Sequence, residues 1–149
     1  MDLSPEEKIA GILVPLFALR TENDLGIGDV AALREFIEWA GAIGFGLVQL
    51  LPINEIGGDN SPYNAISSVA IEPMTLHLAP GSPEELREED FGTVTSKVNL
   101  TSLRRGPVKY HRVRKLKREL LERAFQSDDW QRITSFPAVS HLMRNFWSR

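Results

Sequence analysis

Four carboxylates, Asp24, Asp29, Glu55 and Glu72, could do acid/base chemistry if the fold paired them, one donating a proton while another accepts it. Their sequence context speaks against pairing. Asp24 lies in a polar turn, Asp29 stands where a helix N-cap belongs, and nothing in the spacing of Glu55 and Glu72 brings them together. His77, His111 and His141 lack metal-ligand spacing, and the absence of cysteine excludes disulfides, thiolate metal sites and cysteine nucleophiles. Neither a metal nor a cofactor is expected. The run Gly26-Ile27-Gly28-Asp29-Val30-Ala31 has the form of a dinucleotide fingerprint. Residues 20–25 separate it from the preceding strand, however, and Asp29 puts a carboxylate where a pyrophosphate should meet the helix N-terminus. A turn followed by a capped helix is the better reading.

Binding chemistry is better served by residues 46–73, GLVQLLPINEIGGDNSPYNAISSVAIEP. Here an apolar run that suits a parallel strand covered on both faces empties into a long polar loop. The loop carries a stiff aromatic unit, Ser61-Pro62-Tyr63. Loops at the carboxyl ends of parallel strands are where α/β folds place ligand sites. By residue type alone, Tyr63 reads as a core tyrosine anchoring the loop through its hydroxyl, and Asp59 and Ser61 as ordinary turn formers.

The elements that position this loop alternate. Gly11–Leu19 reads as a buried strand, with Pro15 tolerable near its end. Asp29 then caps a helix whose buried face is Leu33, Phe36, Ile37, Ala40 and Ile43, and Gly41 and Gly44 end it. A second strand at Phe45–Leu51 completes one βαβ unit. Val69–Leu78 reads as a third, Pro-interrupted strand, Ala79–Glu89 as a turn with a short surface helix, and Phe91–Arg105 as irregular, with an extended piece around Val94–Leu100. Pro107 suits a first helical position, and Val113, Leu116, Leu120, Leu121, Ala124 and Phe125 form an amphipathic stripe. The basic run Arg104, Arg105, Lys109, Arg112, Arg114, Lys115, Lys117 and Arg118 reads as a solvated helix face.

Composition sets outer limits. A chain of 149 residues builds one domain with a core but is too short for a large α/β enzyme, and 42% apolar with 25% charged residues is ordinary for a soluble globular protein. A formal net charge of -3 gives no reason to expect nucleic acid as a partner. No apolar run approaches the ~20 residues of a membrane helix, and the acidic start is unlike a signal peptide, so no membrane partner and a cytoplasmic location are expected.

Taken in order, GILVPLFALRTENDLGIGD, a helix, FGLVQLLPI, DNSPYNAISSVAIEPMTLHL and VKYHRVRKLKRELLERAF resemble the N-terminal part of the amylomaltases, the 4-α-glucanotransferases or disproportionating enzymes of glycoside hydrolase family 77. The last segment resembles that family's VDYxxVxxxKxxLLxxAF helix, with Lys109 in place of the acidic residue. The resemblance runs over roughly residues 9–126 and does not extend past Phe125 by motif.

The resemblance implies an α/β fold that is a partial (β/α)8 TIM barrel, about the first three strands with an inserted helical segment. Residues 1–149 would be the N-terminal portion of the catalytic domain. Within it, 1–78 would form the first βα units, 79–126 a mainly helical insertion, and 127–149 an unassigned tail. The implied activity is retaining transfer of an α-1,4-glucan segment to the 4-hydroxyl of another glucan, for which two carboxyl groups ~5 Å apart are needed. In the family these sit on later barrel strands, so no catalytic residue is assigned here and the isolated chain is expected to be inactive. What carries over is binding of α-1,4-glucans and maltooligosaccharides. Tyr63 matches the family's aromatic platform, flanked by Ser61 and Asn64, with Asp59 as a further acceptor. Open barrel edges imply self-association of the chain alone. The alternative is a stand-alone maltooligosaccharide-binding or interaction module without catalysis.

Overall fold

The computed structural model describes residues 8–82 and 86–126, so the tail at 127–149, with His141, lies outside the described residues. The described residues form two units, one of 8–77 with 99–115, the other of 78–82 and 86–98 with 116–126. The elements are mixed α/β, with a two-stranded parallel sheet and four α-helices among the described residues.

In the first unit, β1 (Gly11–Val14) pairs in parallel with β2 (Leu47–Leu50), Gly11 opposite Leu47 and Val14 opposite Leu50. The first strand is shorter than its apolar run. Pro15 has no N–H for the ladder, and beyond it Leu16–Ala18 coils into a 3-10 turn, so the strand does not reach Leu19. Helix α1 (Val30–Ala42) connects the strands. Asp29 caps it with an extended backbone, its Oδ1 accepting from the N–H groups of Ala31 and Ala32 at 3.0 and 3.1 Å. Gly44, at φ 96°, turns the chain out of α1 and back toward β2.

The predicted buried face of α1 is only partly buried. Ala32 and Ala40 are enclosed, but Ile37 is 50% and Ile43 55% exposed, and on the sheet Leu13 is 57% and Leu47 49% exposed. Two strands and one helix bury one side of each element. The described residues supply no second layer for the other, so β2 is not covered on both faces here.

The expected third strand is absent. Asn54 bridges Ile71 and Ile56 bridges Ala65, both antiparallel, so residues 53–56 fold back against 65–72 rather than extending the parallel sheet. Pro73–Thr75 is a 3-10 turn whose N-cap, Glu72, accepts from the Met74 N–H through its side chain. Proline at the first helical position favours a turn here over a strand.

Helix α2 (Glu88–Thr95) and helix α3 (Leu100–Arg104) replace the expected irregular stretch at 91–105. The signals lie in side chains that periodicity ignores. Glu88, Glu89 and Asp90 sit in the first turn of α2, where carboxylates favour the helix dipole, and the Asn99 side chain accepts from the Ser102 N–H at 2.8 Å as N-cap of α3. Helix α4 (Tyr110–Phe125) carries the predicted stripe, with Val113, Leu116, Leu120 and Ala124 buried. It begins three residues after Pro107, the Lys109 carbonyl accepting from the N–H groups of Arg112 and Val113. Its basic run is not one solvated face: Lys117 is 1% exposed. In the second unit ion pairs tie α4 to α2 and to the turn after it, Arg123 with Asp90 of α2 at 3.7 Å and Glu119 with Lys97, just past α2, at 2.9 Å.

Candidate functional site

Residues 57–64 close a loop beyond β2. At its base Gly57 donates to the Asn64 carbonyl and Ile66 to the Glu55 carbonyl at 2.8 Å. Asp59 organises the tip, its Oδ1 accepting from the Ser61 N–H at 3.2 Å and its Oδ2 from the Asn64 side-chain amide. These bonds, the Asn64 amide first and the Ser61 N–H second, hold the Asp59 carboxyl below the ordinary carboxylate value. Asp59, Ser61 and Asn64 are therefore brought together, chiefly as each other's partners. A carboxylate oxygen has a second lone pair, so Asp59 keeps acceptor capacity facing solvent.

Tyr63 stands apart from this cluster. It is 71% exposed, which rules out the core-anchor reading and leaves the ring face open. Ile66 and Val69 further along the loop are also exposed.

The residue before Ser61 carries a feature missed in the sequence. Asn60 has φ 58°, a left-handed conformation that asparagine tolerates better than most side chains, and its Oδ1 accepts from Arg114 Nη2 at 3.1 Å. An Asn within a Gly-Gly-Asp-Asn-Ser-Pro run is a legible signal for that backbone. Nothing local points to Arg114.

Behind the loop lies a small cavity of about 30 Å³, lined among others by Phe17, Leu51, Asn60, Pro62, Glu72 and Tyr110. It holds about one water and no sugar ring. Tyr63 does not line it. Tyr110 meets Phe17 edge-on at 6.4 Å, and burial raises its phenol pKa.

The four carboxylates singled out by type are not paired for catalysis. Asp24 is 2% exposed and takes Arg20 in a fork, Nε to Oδ2 at 2.7 Å and Nη2 to Oδ1 at 3.1 Å, with the N–H groups of Thr21 and Gly26 as further donors. Burial pushes its carboxyl up. The Arg20 bond, the Gly26 N–H, the Arg20 charge and the Thr21 N–H outweigh that and leave it below the ordinary value. Arg104 closes the network, donating to the Asp24 carbonyl at 2.7 Å while its own carbonyl accepts from Arg20 at 3.0 Å. Asp29 Oδ2 meets His77 Nδ1 at 3.0 Å, beside its capping role. Glu72 accepts from Ile56 at 3.1 Å and Met74 at 3.3 Å. The bridge at Asn54 and Ile71 does bring the segments of Glu55 and Glu72 side by side, which spacing had not indicated, but the Glu72 carboxylate is spent on backbone N–H groups. Among the described residues no group of three or more His, Asp or Glu is placed to hold a metal ion, and no helix is long and apolar enough to cross a membrane.

Comparison with known proteins gives these features a family. A family model described as 4-alpha-glucanotransferase matches residues 14–146, well past Phe125 where motif reading stops. The chain is 35% identical over 138 residues to a 4-alpha-glucanotransferase of Chlamydia trachomatis, covering 92% of this chain and 25% of that protein. The match to the Chlamydia caviae protein of the same name is 52% over 69 residues, covering 46% of this chain and 13% of the relative. For the Aquifex aeolicus protein, also named 4-alpha-glucanotransferase, it is 33% over 123 residues, covering 80% and 23%. The chain thus spans about a quarter, or less, of the length of these relatives.

Proposed function

This chain belongs to the 4-alpha-glucanotransferase family, glycoside hydrolase family 77, and from that premise we propose that it forms the amino-terminal part of a (β/α)8 barrel enzyme. The enzyme transfers a segment of an α-1,4-glucan to the 4-hydroxyl of another glucan or of glucose, in the cytoplasm. Residues 1–78 contribute its first βα units and 79–126 a mainly helical insertion. The exposed apolar side chains of β1, β2 and α1 support this reading, because further strands and helices of a barrel would cover them.

In the retaining double displacement, a carboxylate attacks the anomeric carbon as the bond to the leaving glucan's 4-oxygen breaks, and a carboxylic acid protonates that oxygen. An acceptor 4-hydroxyl then attacks the glycosyl-enzyme, giving its proton back to the same acid/base and freeing the nucleophile. Asp24, Asp29 and Glu72 are each committed to arginine, histidine or backbone partners. The family resemblance puts both reacting carboxyls on later barrel strands, and these three carboxylates do not compete for that role. The part played by this chain is binding.

The observation that carries the proposal is the exposure of Tyr63 on a loop whose tip is organised by Asp59, which takes the Ser61 N–H and the Asn64 side chain. A flat ring stacks on the apolar face of a pyranose, with Ser61, Asn64 and Asp59 beside it to meet hydroxyls. In the complete protein, Tyr63→Ala should lower kcat/KM for disproportionation of maltotriose by ~1 to 2 kcal/mol equivalent in transition-state binding. Unchanged kinetics would remove Tyr63 from the site.

A further inference from the structure

We propose that Arg114, near the start of α4, is a positioning residue for the glucan-binding loop and acts through Asn60. The inference rests on the reading of Tyr63 as a sugar platform and goes beyond it by naming what holds that platform still.

The loop tip is bound mostly to itself. Asp59 takes the Ser61 N–H and the Asn64 amide, and the Asn64 N–H donates to the Ser61 carbonyl at 3.1 Å. Such bonds shape the tip but do not attach it to anything. Among the described hydrogen bonds, the one that leaves residues 58–64 for another element is Arg114 Nη2 to Asn60 Oδ1. It crosses 54 residues of sequence.

Asn60 suits this role for two reasons. Its φ of 58° reverses the chain just before Ser61-Pro62-Tyr63, so its backbone sets the direction in which the aromatic unit leaves. Its short side chain tolerates that conformation and still presents an acceptor. A guanidinium bond is also directional and charge-assisted, so it restrains the loop more than a neutral contact of equal length would. Below it, Asn60, Pro62 and Tyr110 line one wall of the small cavity, which places the first turn of α4 under the loop. Pro62 adds stiffness between the anchored Asn60 and Tyr63. With the loop held, a glucan meets a ring already in place, and little ordering cost is left to binding.

The test is a double-mutant cycle in the complete enzyme, read as maltotriose kcat and KM, with Tyr63→Ala as control. Arg114→Ala and Asn60→Gly should each lower kcat/KM about 3- to 10-fold, mainly through KM, because the lost bond is only partly buried and acts on the ring through the loop. Asn60→Gly keeps the left-handed backbone accessible and removes the acceptor, while also loosening that backbone. The double variant should be no worse than the poorer single one, because both remove the same bond. Asn60→Asp, which keeps an acceptor facing Arg114, should recover most of the loss seen with glycine. Additive effects, or an Asn60→Asp enzyme as impaired as Asn60→Gly, would overturn the proposal. If Arg114→Ala fails to fold, Arg114→Met, which keeps the apolar stem and removes the guanidinium, takes its place in the cycle with Asn60→Gly. If Tyr63→Ala alone is silent, the platform reading fails. If Tyr63→Ala is impaired and the Arg114 and Asn60 variants are not, only the anchor fails.

Discussion

The loops that follow β1 and β2 begin alike and end opposite. Both leave an apolar parallel strand, both are rich in Gly, Asp and Asn, and both belong to the first unit. The first, residues 20–29, turns inward: Asp24, Leu25, Ile27 and Asp29 are buried, and each carboxylate is met by an arginine, a histidine or backbone N–H groups. The second, residues 57–71, turns outward, with Tyr63, Ile66 and Val69 exposed and Asp59 bonded within the loop itself. The contrast shows that two loops at carboxyl ends of neighbouring strands can expose quite different residues. The polar groups of the first loop are consumed by the scaffold, whereas the second bonds mostly within itself, with Asn60 tied to Arg114, and leaves Tyr63 in solvent.

Gly28→Ala should break the inward loop outright. A Cβ there would lie 2.1 Å from the Leu16 carbonyl oxygen and 2.5 Å from that of Leu19, backbone atoms that cannot step aside. A loss of more than about 3 kcal/mol is expected in denaturant unfolding. A near-normal midpoint would show that residues 16–19 do not press on this turn.

Asp24→Asn should cost about 2–3 kcal/mol, less than a fully buried pair because Arg20 is partly solvated. It should also change the acid limb of stability. The native Asp24 carboxyl is held below its ordinary 3.8, so its contribution is complete above that pH and is lost as pH falls below it. The Asn variant should therefore lose less stability below pH 3.8 than the parent does. Parallel acid curves for the two proteins would contradict the network.

Asp59→Ala should have the smallest effect on folding and separate the two loops most cleanly. Its carboxylate lies in solvent and ties only Ser61 and Asn64, so the melting temperature should stay within error of the parent. The kcat/KM for maltotriose should nonetheless fall a few-fold, because the tip beside Tyr63 loses its organiser. A marked drop in melting temperature would make this loop structural, like its counterpart.

Much of the frame was legible because it is local. The Asp29 cap, the βαβ unit and the α4 stripe depend on one side chain bonding its own helix start or on a period of apolar residues. The errors came where a single residue outweighed its neighbours. Pro15 cut the first strand, Pro73 with Glu72 turned an expected strand into a 3-10 turn, and Asn99 nucleated α3 in a stretch without apolar period. Lys117 belongs to the same basic run as solvent-facing Lys115 and Arg118, yet it is buried. Charge type says little about which side of a helix a stem lies on.

What the sequence determined by itself is the family, since motifs in order survive without coordinates. Only the tertiary structure decided that Tyr63 is exposed rather than a core anchor, that Asp24 belongs to two arginines, and that Arg114 reaches Asn60. The physical reason is distance along the chain. A cap or a stripe is set by residues within a few positions, whereas exposure and long-range bonds follow from which distant segments the folded backbone brings within reach.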